Sequence, residues 1–168
     1  MNELFEFKKD ILKWELEKIT ETIGRLDGIT NNIKNWAVIT WGGSIALILQ
    51  TAELREYVAL TFLLPIIFMI VDARWRVVQR RGMYRLWKIA DFLNSNKIHE
   101  SFQKKSFDDF IILDPMAKKA READYEEYTS IKRVLRFGSV SWLYFGMSMI
   151  SIVIGIAIKI FGIASPCT

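Results

Sequence analysis

A stretch of basic and aromatic residues, VDARWRVVQRRGMYRLWK at positions 71–88, is the part of this sequence best suited to binding chemistry. It contains five arginines and one lysine, and no acidic residue follows Asp72 within it. At about 100° per residue, four of its bases fall on one helix face roughly 60° wide. Guanidinium groups bind phosphate oxygens, and aromatic rings stack on nucleobases. The predicted ligand-binding residues are Arg74, Arg81, Arg85, Lys88, Tyr84 and Trp87.

The same charges also have a simpler explanation. Lys and Arg beside a membrane span fix its orientation and attract anionic lipid headgroups. Orientation alone needs only a few bases, whereas residues 74–88 contain six. The sequence therefore leaves two interpretations open, which are a headgroup anchor and a site for a nucleotide or oligonucleotide.

Residue types that support catalysis are sparse in this sequence. His99 is the only histidine, which argues against a two-histidine metal site, and Cys167 is the only cysteine, which excludes a disulfide within one chain. The neighbouring Asp108 and Asp109 would point in different directions in regular structure. We therefore expect no enzyme activity, no metal site and no cofactor.

Three uncharged blocks of sequence supply the elements that would position the basic stretch. They cover residues 35–52, 57–71 and 137–158. A bilayer core about 30 Å thick needs roughly 20 apolar residues in a helix, so the third block is long enough and the first is long enough with its flanks. The second block is short, and it needs Arg55 to snorkel or the bilayer to thin locally. The sequence predicts three membrane spans.

The distribution of charge predicts the orientation of these spans. Of the 23 Lys and Arg residues, six lie in residues 1–34 and 15 in residues 73–136, and the second region has nine acidic residues and a net charge of +6. The positive-inside rule places both regions in the cytoplasm. The N-terminus is then inside and the C-terminus outside.

The predicted fold is an all-α membrane protein with five segments. The link ELRE (53–56) is short enough to join the first two spans as a helical hairpin. The segments are an N-terminal cytoplasmic amphipathic helix (1–33), a transmembrane hairpin (34–72), a basic cytoplasmic insert (73–136), a third transmembrane helix (137–163) and a short tail (164–168).

Within the insert, the second span is expected to continue as a helix to about Leu93. The residues FIIL (110–113) have the composition of one short strand. Asp114 is predicted to cap, and Pro115 to begin, a further helix that leads into the third span.

The N-terminal helix has an apolar seam with alternating spacings of four and three residues, which is typical of helix packing. The seam consists of Leu12, Leu16, Ile19, Ile23, Leu26, Thr30 and Ile33. It has two possible partners, which are the insert of its own chain and another subunit.

Small and hydroxyl-bearing residues in the first and third spans suit either close helix packing or the lining of a polar path. They are Gly42, Gly43, Ser44, Ser148, Ser151 and Gly155. No acid or base lies in the middle of a predicted span except Lys159, which is close to the outer end and can snorkel. This argues against a proton-coupled transporter, which needs ionisable groups inside the membrane.

The order of these elements resembles a known family. An N-terminal helix (LKWELEKITETIGRLDGI), a pair of spans joined by ELRE, and a basic helix that starts DARWRVVQRRGMYR resemble the SLATT family of small bacterial membrane effectors over roughly residues 10–95. Among them, the effectors of Hailong-type antiphage defence are the most similar in layout. This chain differs in having a third predicted span and a long insert.

The resemblance implies a homo-oligomeric ion channel in the bacterial inner membrane, and a tetramer in the Hailong-type case. It implies control by a nucleotide or single-stranded DNA oligonucleotide from a nucleotidyltransferase encoded nearby. Opening would depolarise the membrane and stop growth of an infected cell. We therefore interpret the chain as a channel-forming effector in antiviral defence. The alternative is a non-conducting anchor or scaffold for a cytoplasmic partner, and a holin-like pore is a third interpretation that the charged insert disfavours.

Overall fold

The computed structural model describes residues 2–107, 110–117, 123–136 and 138–161, and these residues form helices, turns and irregular segments without any strand. The prediction of an all-α fold is confirmed for this part of the chain. The helices are α1 (Asn2–Gln50), a 3-10 helix (Ala52–Phe62), α2 (Leu63–Asn94), α3 (Lys97–Lys104), α4 (Ala123–Tyr128), α5 (Ile131–Arg136) and α6 (Gly138–Phe161). The predicted Asp108–Asp109 pair, Cys167 and the tail at 164–168 lie outside the described residues.

The chain divides into two compact units. The polar unit consists of Met1–Gly28 and Arg76–Arg133, and the apolar unit consists of Ile29–Trp75 and Val134–Thr168. Helices α1 and α2 each contribute residues to both units. Each unit has its own buried clusters.

The core of the polar unit forms between α1 and α2. Leu12 and Ile19 from the α1 seam are buried together with Ile89 of α2, and Leu86 packs against the same cluster. This part of the seam therefore packs on the insert of its own chain, which was one of the two partners expected from the sequence. A second cluster places Phe5 against Phe107, with ring centroids 4.9 Å apart and planes 10° apart.

Helix α2 continues through the basic stretch and ends at Asn94, which confirms the predicted extension to about Leu93. Ser95 follows, and its hydroxyl donates to the carbonyl of Phe92 at 2.8 Å. Helix α3 ends at Lys104, where Lys105 adopts a left-handed conformation (φ 50°) and its amide donates to the carbonyl of Ser101. These side-chain and backbone contacts satisfy carbonyl groups that a helix end leaves without an internal partner.

The prediction of a strand at residues 110–113 is wrong. This segment is irregular, and Leu113 has a φ of 65°, which a strand does not accommodate. The segment packs instead through Phe110, which stacks on Phe92 with ring centroids 4.2 Å apart. The apolar residues of this segment cover the α1–α2 core and do not form a strand.

The helix predicted to begin at Pro115 is also different in the structure. Asp114 to Ala117 form a turn in which the Ala117 amide donates to the Asp114 carbonyl at 2.8 Å, and Ala117 has a φ of 50°. Farther along, α4 and α5 are separate helices with a break at Thr129–Ser130. The Thr129 hydroxyl donates to the Tyr125 carbonyl at 2.7 Å, and such hydroxyl contacts with the backbone compete with continuation of a helix.

In the apolar unit, α6 packs along the 3-10 helix. The predicted link ELRE is not a loop, because residues 53–56 lie inside the 3-10 helix. Only Thr51 separates that helix from α1. The Arg55 guanidinium donates to the carbonyl of Leu49 at 2.9 Å, so it satisfies a carbonyl at the end of α1.

Two stretches of helix among the described residues are long and apolar enough to cross a membrane, Ala52–Asn94 and Ser141–Phe161. The first contains the second predicted span (57–71), and the second overlaps most of the third predicted span (137–163). The first predicted span, residues 35–52, lies almost entirely in α1, which is not one of the two. Only 17% and 28% of the two apolar windows are buried within the chain, so the chain itself does not cover these helices.

Candidate functional site

The most buried of the predicted ligand-binding residues is Arg85, which is 1% exposed. Its Nε donates to Glu15 Oε1 at 3.0 Å and its Nη2 to Glu15 Oε2 at 2.9 Å, which is a bidentate ion pair. Nη2 also donates to the carbonyl of Ile111 at 2.7 Å. The guanidinium carbon lies 4.9 Å from the ring centroid of Phe110.

Glu15, also 1% exposed, completes this contact from α1. Besides Arg85, it accepts hydrogen bonds from the amides of Leu113 (3.1 Å) and Asp114 (2.8 Å). The ion pair thus joins α1, α2 and the irregular segment that follows α3. Because the Arg85 guanidinium is buried and bound inside the protein, the four-residue basic stripe is not one exposed face. We correct the prediction by removing Arg85 from the candidate ligand site.

The other predicted bases have different surroundings. Arg74 is exposed and belongs to the apolar unit. Arg81 and Lys88 belong to the polar unit and are half-buried, and Arg81 Nε has no hydrogen-bond partner among the described residues. The Lys88 ammonium lies 4.8 Å from the Trp87 ring centroid and 5.6 Å from that of Tyr84. The structure therefore brings Lys88, Tyr84 and Trp87 together, and their role in ligand binding stays a prediction.

Tyr84 and Trp87 line a pocket within the polar unit that encloses about 550 Å³. Pockets that bind small molecules commonly fall between about 300 and 1,000 Å³. Helix α2 supplies one wall and α4 with α5 the other. The lining residues are Met83, Tyr84, Trp87, Asp124, Glu127, Tyr128 and Arg133.

Aromatic contacts hold the walls of this pocket in place. The Tyr84 ring meets Tyr125 edge-on, with centroids 5.2 Å apart, and lies 6.1 Å from the ring of Tyr128. The Tyr125 hydroxyl in turn donates to the carbonyl of Met116 at 3.0 Å. Tyr84 and Tyr125 are buried, whereas Trp87 is 54% exposed and presents a ring to solvent. The pocket therefore has an ordered inner wall and an accessible aromatic edge.

Charged groups of both signs surround the aromatic walls. Arg133 Nη1 donates to Glu127 Oε1 at 3.0 Å, and its guanidinium carbon lies 5.7 Å from the Tyr128 ring centroid. Arg80 Nη1 donates to the carbonyl of Tyr128 at 3.0 Å. Asp124 is exposed on the pocket wall. The site thus offers stacking surfaces, cations and carboxylate acceptors within one pocket.

The sequence prediction missed the α4 and α5 residues of this pocket. Asp124, Tyr128 and Arg133 lie about 40 residues after Trp87, and no periodic pattern connects the two stretches. A weak signal was available, because DYEEY combines two aromatic and three acidic residues close to a basic pair. Only the fold shows that these residues face Tyr84 and Trp87.

In the apolar unit, two of the predicted packing or pore residues are used inside the chain. Ser151 is fully buried, and its hydroxyl accepts from Trp41 Nε1 at 2.8 Å and from the Thr61 hydroxyl at 2.9 Å. The Ser148 hydroxyl donates to the carbonyl of Phe62 at 3.2 Å. These serines connect α6 to the 3-10 helix and α1, which is a packing role.

The predicted glycines divide into two groups. A Cβ at Gly155 would lie 2.6 Å from the Ala59 Cβ, so α6 and the 3-10 helix approach too closely there for any side chain. Gly42 and Gly43 have open space in the direction of a Cβ. The neighbouring Ser44 hydroxyl donates to the Thr40 carbonyl of its own helix at 2.7 Å. Packing within the chain therefore requires Gly155 and leaves the Gly42–Gly43 face uncovered.

The described residues contain no group of three or more His, Cys, Asp or Glu side chains arranged to hold a metal ion. Comparison of the chain with family models, with curated proteins and with solved structures gives no match.

Proposed function

We propose that this protein is an integral membrane effector, several copies of which assemble into an ion channel controlled by an anionic nucleotide or DNA oligonucleotide. The observation that carries the proposal is that two long apolar helices are left largely uncovered by their own chain. Exposure of that much apolar surface to water is unfavourable, whereas lipid and further copies of the chain can cover it. Several copies are needed because three helices do not enclose a water path.

The polar unit provides the ligand site in this proposal. Trp87 and Tyr128 offer rings for a base, and Lys88 and Arg133 offer charges for phosphate. Lys88, Tyr84 and Trp87 retain the role predicted from the sequence, with Asp124, Glu127, Tyr128 and Arg133 added and Arg85 removed. Arg74 and Arg81 remain candidates for contacts with a longer oligonucleotide.

The biological setting follows from the resemblance to the SLATT family. The proposed setting is the bacterial inner membrane, with the N-terminus and the polar unit in the cytoplasm. A nucleotidyltransferase encoded nearby would supply the nucleotide ligand. Loss of ligand control during phage infection would change the conductance, depolarise the membrane and stop growth.

Ion flux from proteoliposomes is the experiment that tests this function. Purified full-length protein should release trapped potassium ions, and its release rate should change when short DNA oligonucleotides are added on the side of the polar unit. Trp87→Ala should reduce the response to the oligonucleotide without preventing insertion, because Trp87 is an exposed pocket residue. Vesicles that retain their ions at high protein content, with and without oligonucleotide, would contradict the channel.

A non-conducting anchor for a cytoplasmic partner is the second candidate function. It is favoured by the hydroxyls of Ser148 and Ser151, which are used in helix packing and do not face a polar path in the single chain. The flux experiment separates the two functions, since an anchor leaves vesicles sealed.

A further inference from the structure

We propose that the aromatic pocket selects a nucleobase that carries an exocyclic amino group over one that carries an oxo group at the same position. This inference rests on the proposed nucleotide ligand and deepens it, since it names the class of base. The observation behind it is the pair of carboxylates, Asp124 and Glu127, on the wall of an otherwise aromatic and cationic pocket.

Acidic residues are unexpected in a site for an anion unless they bind hydrogen-bond donors. An ionised carboxylate only accepts hydrogen bonds. The amino groups of adenine, cytosine and guanine are donors, whereas the oxo groups of uracil, thymine and hypoxanthine are acceptors that repel a carboxylate. The latter bases have a ring N–H as a donor, but an oxo group lies directly beside it and opposes the approach of a carboxylate. The electrostatic cost of two acids near a phosphate is therefore offset better by an amino-bearing base.

The charged and aromatic side chains of the pocket also indicate which residue would contact the amino group, the base ring and the phosphate. Glu127 is held by Arg133 at 3.0 Å, which limits its orientation, while Asp124 is exposed on the pocket wall. Asp124 is therefore the residue that would contact the amino group. Arg133 and Lys88 contribute positive charge near the aromatic rings, which favours a phosphate there, and the ring of Trp87, which is 54% exposed, can stack on the base.

Matched nucleotides that differ at one group provide the test. Binding of CMP and UMP, and of AMP and IMP, would be measured by titration of the full-length protein in lipid nanodiscs. In each pair, the first compound carries an amino group beside an unprotonated ring nitrogen, and the second carries an oxo group beside a ring N–H. We expect CMP to bind more tightly than UMP, and AMP more tightly than IMP, by about 5- to 150-fold, the range for one good base-specific contact.

Asp124→Asn is the decisive variant. An amide both donates and accepts hydrogen bonds, so the preference within each pair should fall to about threefold or less. Asp91→Asn is the matched control, because Asp91 is an exposed acid on α2 that does not line the pocket. It should retain the full preference. Trp87→Ala should weaken all four nucleotides to a similar extent, because stacking is insensitive to base identity.

The possible results separate the inference from the function on which it rests. Equal binding within both pairs, tighter binding of UMP and IMP, or an unchanged preference in Asp124→Asn would overturn the base selection and leave the nucleotide ligand in place. If none of the four binds at millimolar concentration and short oligonucleotides also fail to bind, both the selection and the proposed ligand are wrong.

Discussion

The two units of this chain satisfy their buried polar groups in different ways. The polar unit buries full charges, in the bidentate contact between Glu15 and Arg85. The apolar unit relies mainly on neutral groups. Its Ser151 hydroxyl accepts hydrogen bonds from the Trp41 indole N–H and from the Thr61 hydroxyl. Asp72 lies near the end of the Ile29–Trp75 segment of the apolar unit, and its carboxylate accepts a hydrogen bond from the Tyr144 hydroxyl at 3.2 Å.

The difference reflects the energetic cost of breaking a buried polar contact, which depends on whether water can enter. A buried ion pair that loses one partner leaves an uncompensated charge, which is costly but can be relieved by water entering the site. Inside lipid no water is available, so neutral hydroxyl contacts are the less costly way to join helices. The two patterns agree with the proposal that water surrounds one unit and lipid the other.

Breaking the ion pair should have the largest effect on stability. Glu15→Ala removes both carboxylate oxygens from Arg85 and from two backbone amides, and we expect a loss of about 3–5 kcal/mol of unfolding free energy. Denaturant unfolding of the polar unit, followed by circular dichroism in detergent, measures it.

Two further variants make this first prediction specific. Adding Arg85→Met to Glu15→Ala should recover part of the loss, because the unpaired buried charge is then gone. Glu21→Gln is the control, since Glu21 pairs with Lys18 at 2.7 Å on an exposed surface. Lys18 lowers the pKa of the Glu21 carboxyl through that hydrogen bond, yet the unfolding midpoint should not change. A Glu15→Ala protein as stable as Glu21→Gln would show that the ion pair does not hold the unit together.

The second prediction concerns the close approach of helices in the apolar unit. Gly155→Leu places a side chain where even a Cβ would lie 2.6 Å from Ala59, so α6 must separate from the 3-10 helix. We expect a loss of about 1–3 kcal/mol, as for other overpacked sites, seen as a lower unfolding midpoint in detergent.

Gly43→Leu is the comparison variant, because a Cβ at Gly43 would have no neighbouring atom within 4 Å in the part of the chain that the structure describes. It should leave the unfolding midpoint of the monomer unchanged. If Gly43→Leu alters the oligomer measured by native mass spectrometry, the uncovered face is a subunit contact. Equal destabilisation of the monomer by both variants would contradict the packing described for α6.

The smallest effect is expected from the hydroxyl network. Ser151→Ala removes the acceptor of the Trp41 and Thr61 donors, and we expect a loss of about 0.6–1.7 kcal/mol, the range for polar contacts between membrane helices. Ser44→Ala is the control, because the Ser44 hydroxyl donates to the carbonyl of Thr40 within its own helix and does not join two helices among the described residues. A larger loss for Ser44→Ala than for Ser151→Ala would mean that the network between helices contributes little.

Sequence patterns predicted the parts of this fold that depend on neighbours along the chain. The continuation of α2 follows from helix-forming residues after the second apolar block, and the α1 seam follows from its spacing. The break at Thr129 was missed, because it depends on hydroxyl contacts with the backbone that composition does not reveal.

Contacts between distant residues could not be predicted in the same way. Arg85 belonged to a helical stripe by spacing, but Glu15 is 70 residues away and no local pattern pairs them. The pocket likewise requires Asp124 and Arg133 to meet Trp87. One sequence contains the residue types for these contacts, but only the packing of the helices decides which charges are buried and which remain available.

Cysteine accessibility in intact cells tests the central claim most directly, because the proposed channel depends on opposite membrane sides for residues 53 and 104. In a Cys167→Ser background, Glu53→Cys and Lys104→Cys would be treated with a membrane-impermeant maleimide. We expect Glu53→Cys to be labelled from outside and Lys104→Cys to be labelled only after the membrane is opened. Labelling of Lys104→Cys in sealed cells would contradict the membrane arrangement and the channel built on it.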